Sequence, residues 1–240
     1  MVWFIWSLNF KTKKFMTVKD VLILLEKNKD SRGIENWKKE IIGNTDSFGI
    51  GLTKLKTLSK KIGKNHELAI ELWKVNNYDV KIMSILIEDP KFVTESFVDQ
   101  RVKEMNKGFV HVFCTVLMAK LPFLKKKVDE WTKSKNDLIR RLGYASLYVL
   151  AKGGENIEDK YFESYLKIIE QNLQKEENMV KDSMNNSIFT IGMRNKNLNQ
   201  KAIAVAKKIG KVEVDYGDNS CEAINCIKHL TGERVQKSFK

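Results

Sequence analysis

A chain of 240 residues, 42% hydrophobic and 30% charged, is long enough to bury a substantial core and too apolar to be a disordered tail. Lysine and arginine total 43 against 30 acids, a formal net charge of +13, and a surplus of that size calls for an anionic partner, nucleic acid first. Cys114, Cys221 and Cys226 are odd in number, and they and His66, His111 and His229 lack metal-ligand spacing, so neither a disulfide framework nor a metal site nor any cofactor is expected.

The opening MVWFIWSLNF is apolar, but Lys11, Lys13 and Lys14 follow it rather than precede it. A secretory signal places its positive charge first, and a membrane span needs about 20 apolar residues. Residues 1–16 therefore read as an N-terminal extension, and the chain as cytoplasmic with no membrane partner. From Thr17 the pattern turns helical with TVKDVLILLEK. Stripes follow at Leu52, Leu55, Leu58 and Ile62, then at Leu68, Leu72 and Val75 beside Trp73, then at Ile82, Ile85 and Leu86. Further helices are predicted over 92–106, 109–120, 122–132, 136–152, 159–173, 177–193 and 196–209, with Pro90 and Pro122 at helix starts. Helix pairs recurring every 30–40 residues or so fit HEAT-type repeats. Such units bury their apolar faces on one another, so the predicted fold is all-α, a single-domain helical-repeat solenoid over 17–230 with a concave side. A compact helical bundle is the alternative. After Gly210, KVEVDYGDNS reads as an extended excursion before a last helix near Cys221–Leu230, and residues 231–240 as a basic, frayed tail.

Within this pattern the stretch from Ser47 to Val93 is more specific. Gly49 to Ile62, the Glu71-Leu72-Trp73 triplet and the Glu88-Asp89-Pro90 step stand in the order and spacing seen in one family. Together with Ile191–Cys221, which looks like a closing repeat and its loop, the chain resembles the bacterial DNA alkylation repair family of HEAT-like-repeat alkylpurine DNA glycosylases over about residues 17–230. The resemblance implies an α–α superhelix with DNA in its concave groove. Catalytic members excise cationic alkylated bases such as 3-methyladenine or 7-methylguanine, with aromatic faces and a carboxylate stabilising positive charge as the glycosidic bond breaks. That family sets an aspartate four residues after a tryptophan. Ungapped placement puts these positions on Phe109 and Phe113, and a second tryptophan on Asn186. Only the arginine survives, as Arg141, with Arg140 in its place under a slip of one. A phenylalanine ring can stack on a cation for about 0.5–2 kcal/mol. It supplies no negative charge, and losing such a preorganised group costs roughly 10²–10³ in rate. No catalytic residue is therefore assigned. Phe109 and Phe113 read as core aromatics flanking a partly exposed His111, with His111 as a replacement base the less favoured option.

Binding needs no catalytic acid, because duplex shape is read by cations facing phosphates. The candidates are Lys125, Lys126 and Lys127, the pair Arg140 and Arg141, and Lys181 with Arg194. Three consecutive lysines cannot all point one way, so a solvated face competes with a phosphate clamp at 125–127. The adjacent arginines lie in an apolar helix, where at least one guanidinium needs an anion; Asp137 or Glu130 would be the intramolecular choice. Tyr144 and Tyr148 fit either the arginine face or the core, with core expected. The reading is a monomeric DNA-binding protein that holds duplex, distorted or branched DNA without standard alkylpurine excision. A glycosylase with a rearranged site and a protein-interaction solenoid are the alternatives.

Overall fold

A computed structural model describes residues 16–37, 45–153, 156–217 and 220–239, so the expected extension at 1–16, apart from Met16, lies outside the described residues. In chain order the helices are α1 (Val18–Glu26), α2 (Ser31–Trp37), α3 (Leu52–Ile62), α4 (His66–Trp73), α5 (Tyr78–Ile87), α6 (Glu95–Lys103) and the short α7 (Val110–Val112). They continue with α8 (Leu124–Trp131), α9 (Asp137–Lys152), α10 (Asp159–Asn172), α11 (Asn178–Gly192), α12 (Lys196–Ile209), α13 (Cys226–Leu230) and α14 (Glu233–Lys237). Asparagine starts many of them. The side chains of Asn65, Asn77, Asn136, Asn195 and Asn225 each accept from the backbone N–H three residues on, caps worth about 1 kcal/mol apiece.

Alternate helices form two layers. The inner row stacks α5, α7 with the helical residues that follow it, α9, α11 and α13 in succession, while α4, α8 and then α10 with α12 lie behind. This is the all-α repeat solenoid expected from the periodicity. Its core runs continuously through the rows, from Val21 and Leu25 through Phe109, Phe113 and Tyr144 to Leu198 and Leu230. One approach is tighter than side chains allow. A Cβ on Gly143 would stand 2.5 Å from the Thr132 nitrogen, so α9 lies directly on the end of α8 because that position carries no side chain. Between α9 and α11 the Ser187 hydroxyl donates to the Tyr144 carbonyl at 2.9 Å.

Several predicted elements differ in detail. Residues 109–120 are not one α-helix: α7 passes into a π-helical turn, Phe113–Leu117, and then a 3-10 turn, Met118–Lys120. The Thr115 hydroxyl donates to the His111 carbonyl at 2.7 Å, competing with the backbone ladder, and Pro122 stops the helix downstream. Pro90 opens only a 3-10 turn, Pro90–Phe92, with α6 following from Glu95, and Pro122 lies in the turn before α8. The last predicted helix starts later, at Cys226, where Asn225 caps it. The expected frayed tail instead forms α14: Val235 is buried, and Gln236 donates to the Asn199 side chain and the Leu230 carbonyl.

Candidate nucleic-acid interface

Three consecutive members of the inner row meet at a pocket of about 170 Å³. The α7 segment and its π turn contribute Val110, His111, Cys114 and Thr115; α9 contributes Arg141, Ala145 and Tyr148; α11 contributes Asp182, Ser183 and Asn186. The spacings of four and three residues on α9, and of four on α11, are those that put side chains on one helix face. Arg141 is half-buried, and its Nη1 donates to the Lys107 carbonyl at 2.9 Å. Its Nε is buried and has no hydrogen-bond partner among the described residues. Burial holds the Arg141 pKa below the ordinary guanidinium value, with the Asp182 charge acting the other way. His111 sits exposed at the mouth. Partial desolvation first, then the charges of Lys56, Arg141 and Lys152, hold its pKa below the ordinary imidazole value against the pull of Asp182. Desolvation first, and the positive surround second, thus favour the neutral imidazole.

Asp182 is the pocket's carboxylate. Its Oδ1 accepts from the Tyr216 hydroxyl at 2.6 Å and from Asn186 Nδ2 at 2.9 Å. Sequence reasoning passed over it; the available signal was its place one turn before Asn186. Cys114 is no nucleophile, since burial pushes its thiol up to about 12. An arginine with an unused donor, a neutral histidine and a set-back, hydrogen-bonded carboxylate suit an anion bearing acceptor oxygens.

The other predicted residues are distributed differently. Phe109 and Phe113 are buried, and Phe109 packs on Trp73 and Tyr78 with ring centroids 5.5 and 5.1 Å away, so neither presents a face to the pocket. Asn186 does line it. Arg140, about 100° round the helix from Arg141, is fully engaged within the protein. Its Nε and Nη2 hold Glu176 at 2.7–3.0 Å, Nη2 also reaches Asp137 at 2.7 Å, and Nη1 donates to the Ser134 carbonyl at 2.9 Å. The guanidinium anticipated to need an anion finds an intramolecular one. The lysine run is likewise paired rather than free, because the outer-row helix that carries it also carries acids and faces those of α6. Lys125 contacts Asp129 at 3.3 Å and lies over the Tyr161 ring; Lys126 contacts Glu95 at 2.6 Å. Lys127 is buried against Asp99 at 2.8 Å and Glu130 at 3.0 Å. Lys181 is half-buried near Glu213, whose pKa is lowered first by its hydrogen bond to Lys211 and further by the Lys181 charge. Arg194 donates to the Ala151 and Gly153 carbonyls at 2.8 and 3.2 Å and stacks on Phe162. Tyr144 is core, whereas Tyr148 lines the pocket.

The sequence features that carried the resemblance are structural. Trp73 Nε1 donates to Glu104 at 2.7 Å, and the Arg101 guanidinium lies 4.3 Å from the indole centroid. Buried Glu88 bridges His66 at 2.5 Å and Arg101 at 3.5 Å; burial raises its pKa against both partners. Burial also pulls the Arg101 pKa down to about 10. No His, Cys, Asp and Glu side chains among the described residues cluster as a metal site, and no described helix is long and apolar enough to cross a membrane.

Comparison with known proteins agrees with this architecture. A solved structure described as "a new family of proteins related to the HEAT-like repeat DNA glycosylases with affinity for branched DNA structures" superposes with a TM-score of 0.80, covering 94% of this chain and 97% of that one at 24% identity. Uncharacterized protein Lin0241 of Listeria innocua is 29% identical over 197 residues, covering 79% of this chain and 84% of its own length. Uncharacterized protein Lmo0209 of Listeria monocytogenes is 27% identical over the same shares. The family described as DNA alkylation repair enzyme matches residues 21–214, most of the repeat array and its central pocket, and the chain belongs to that family.

Proposed function

We propose that this protein holds DNA by its backbone in a basic concave groove along the inner row, favouring distorted or branched duplexes, and does not excise alkylpurines by the family's usual chemistry. The observation that supports it best is Arg141, a half-buried guanidinium on the pocket wall whose one hydrogen bond among the described residues is from Nη1 to the Lys107 carbonyl, with the charges of Lys56 and Lys152 acting on the same space. A phosphate oxygen accepts from the donors of that guanidinium left open at the pocket and neutralises the surround. The structural neighbour's described affinity for branched DNA favours shape as the feature recognised, since a rigid cationic trough reads backbone geometry rather than base edges. Against excision stand Phe109 and Phe113, both inside the core. The proposed contact set narrows to Arg141, with Lys181 and Arg194 farther along, because Arg140 and Lys125–Lys127 already have carboxylate partners.

Asp182 favours a second reading, base release with a carboxylate supplied from α11 rather than from the α7 segment. Its hydrogen bonds to Tyr216 and Asn186 still leave an anion within the pocket. Gel shifts on linear, gapped and branched DNA across a salt series, run beside release of methylated purines from treated DNA, decide the matter. The proposal expects affinity that falls steeply with salt and base release at background. A flat salt response overturns DNA holding, and release above background that vanishes in Asp182→Asn establishes the second reading.

A further inference from the structure

Next to the arginine pocket, at the C-terminal ends of α9 and α11, lies a larger cleft of about 1040 Å³ closed on its far side by α13 and α14. Its charge is one-sided. Lys152, Lys228 and Arg234 line it, all exposed, and none makes an ion pair among the described residues. Elsewhere cations are widely paired, as at Lys74, Lys126, Lys127, Arg140, Lys201 and Lys208. The cleft's carboxylate, Glu233, is taken by Lys237 one turn on. Between these charges the wall is apolar and aromatic. Met193 is 43% exposed there, among the few large hydrophobic side chains left open on the molecule. Phe189 stands edge-on to the His229 ring with centroids 5.9 Å apart. Tyr148 lines both this cleft and the arginine pocket, so the two spaces adjoin along α9.

We propose that this cleft is a binding site for single-stranded DNA leaving a duplex held on the inner row, an inference that rests on the DNA reading above. Cations alone fit any phosphate backbone; the interleaved Tyr148, Phe189 and Met193 faces do not. In a duplex the base faces are covered by their neighbours, so the exposed Met193 and the partly open Tyr148 and Phe189 rings gain nothing from it. In a single strand each base offers a face to stack, and cationic grooves set with aromatic side chains are how such strands are held. The dimensions agree. Arg141 and Lys152 are eleven residues apart on α9, roughly 16 Å at 1.5 Å per residue. That length matches a run of about five phosphates on one stacked strand. A branch or flap places a duplex beside unpaired nucleotides, which joins the two spaces into one footprint.

The test compares the full chain on a blunt duplex, the same duplex with a single-stranded thymidine tail of about ten nucleotides, and a three-way junction, by fluorescence anisotropy. The tail is expected to tighten binding about tenfold, the worth of one or two stacked bases. Lys228→Glu with Arg234→Glu returns the tailed substrate to the blunt-duplex affinity and leaves the blunt duplex within about twofold. Met193→Ser removes part of the gain without changing charge. Both sets alter exposed side chains, and unchanged thermal melting verifies the fold. Equal affinity for tailed and blunt duplex in the wild type overturns this inference while leaving DNA holding intact. Equal losses on both substrates in the charge-reversed variant overturn it as well, by making the patch a general phosphate contact. Displacement of the tail by an acidic peptide at lower concentration than by free thymidine strand assigns the cleft to a protein partner instead. No binding to any of the three DNAs overturns both this inference and the DNA reading.

Discussion

Two adjacent arginines separate a structural role from the proposed binding role. Arg140→Ala removes the guanidinium that holds Glu176 through Nε and Nη2 and also reaches Asp137 and the Ser134 carbonyl. Glu176, only 14% exposed, is left without its counter-ion. Breaking a fully buried pair costs about 3–5 kcal/mol and an exposed one about 0–1, so this partly open pair is expected to cost roughly 2–3 kcal/mol. For a chain of this size that is a Tm lower by about 4–12 °C. Arg141→Ala loses only one protein hydrogen bond, to the Lys107 carbonyl, so its Tm falls by roughly 2–4 °C. On DNA the order reverses. Losing a charge-assisted phosphate contact of about 1.5–3 kcal/mol weakens binding roughly ten- to a hundredfold, and the slope of log affinity against log salt becomes shallower by about 0.9. Arg140→Ala leaves that slope unchanged. The assays are a melting curve and a polarisation titration on branched DNA at several salt concentrations. If Arg140→Ala flattened the slope at unchanged Tm, the assignment of the two guanidiniums would be refuted.

Other perturbations test separate parts of the structure. Gly143→Ala drives a methyl into the Trp131–Thr132 backbone at 2.5 Å and is expected to destabilise by about 3 kcal/mol or more, read as a lower urea midpoint; a wild-type midpoint would mean α8 and α9 are farther apart. Lys127→Ala leaves Asp99, Glu130 and Glu95 facing one another and should lower Tm by several degrees, about 1–3 kcal/mol, without touching the DNA salt slope. His111 titrates below the ordinary imidazole value in the folded chain, so its contribution to stability is present above the unfolded pKa and is lost as pH falls through that region. A phosphate beside it raises its pKa again, so DNA binding takes up a proton and tightens as pH falls from 7.5 to about 6. His111→Gln should flatten that dependence, and an unaltered pH profile in the variant would remove His111 from the interface. Asp182→Asn keeps both hydrogen-bonded neighbours in reach and removes the pocket's negative charge, so DNA affinity should rise severalfold at low salt; a fall in affinity would give the carboxylate a direct contact.

The fold was legible because each repeat announces itself locally. Leu52, Leu55, Leu58 and Ile62 need only their own spacing to declare a helix, and stacking such units leaves few other solutions. The π turn at Phe113–Leu117 was not legible, since nothing in FCTVL distinguishes an α from a π ladder until Thr115 bonds back to His111. The site shows the same division. Arg141 was named by resemblance, but telling it from Arg140 required knowing that Glu176, thirty-six residues on, reaches one guanidinium and not the other. Lys125–Lys127 show a related effect: acids of the preceding repeat, Glu95 and Asp99, pair with Lys126 and Lys127, so charge in this solenoid is balanced between neighbours as well as within a segment. That rule also says where an unpaired cation carries meaning. At an inner-row position, an unmatched lysine or arginine has no carboxylate partner among the described residues, which leaves it open to the phosphate contact proposed above. In this chain those places are the Arg141 pocket and the cleft under α13 and α14, which Tyr148 joins. Net charge alone could not have pointed to them, because several cations elsewhere in the array are held by acids of neighbouring repeats, and pairing of that kind takes a cation away from the proposed phosphate contact.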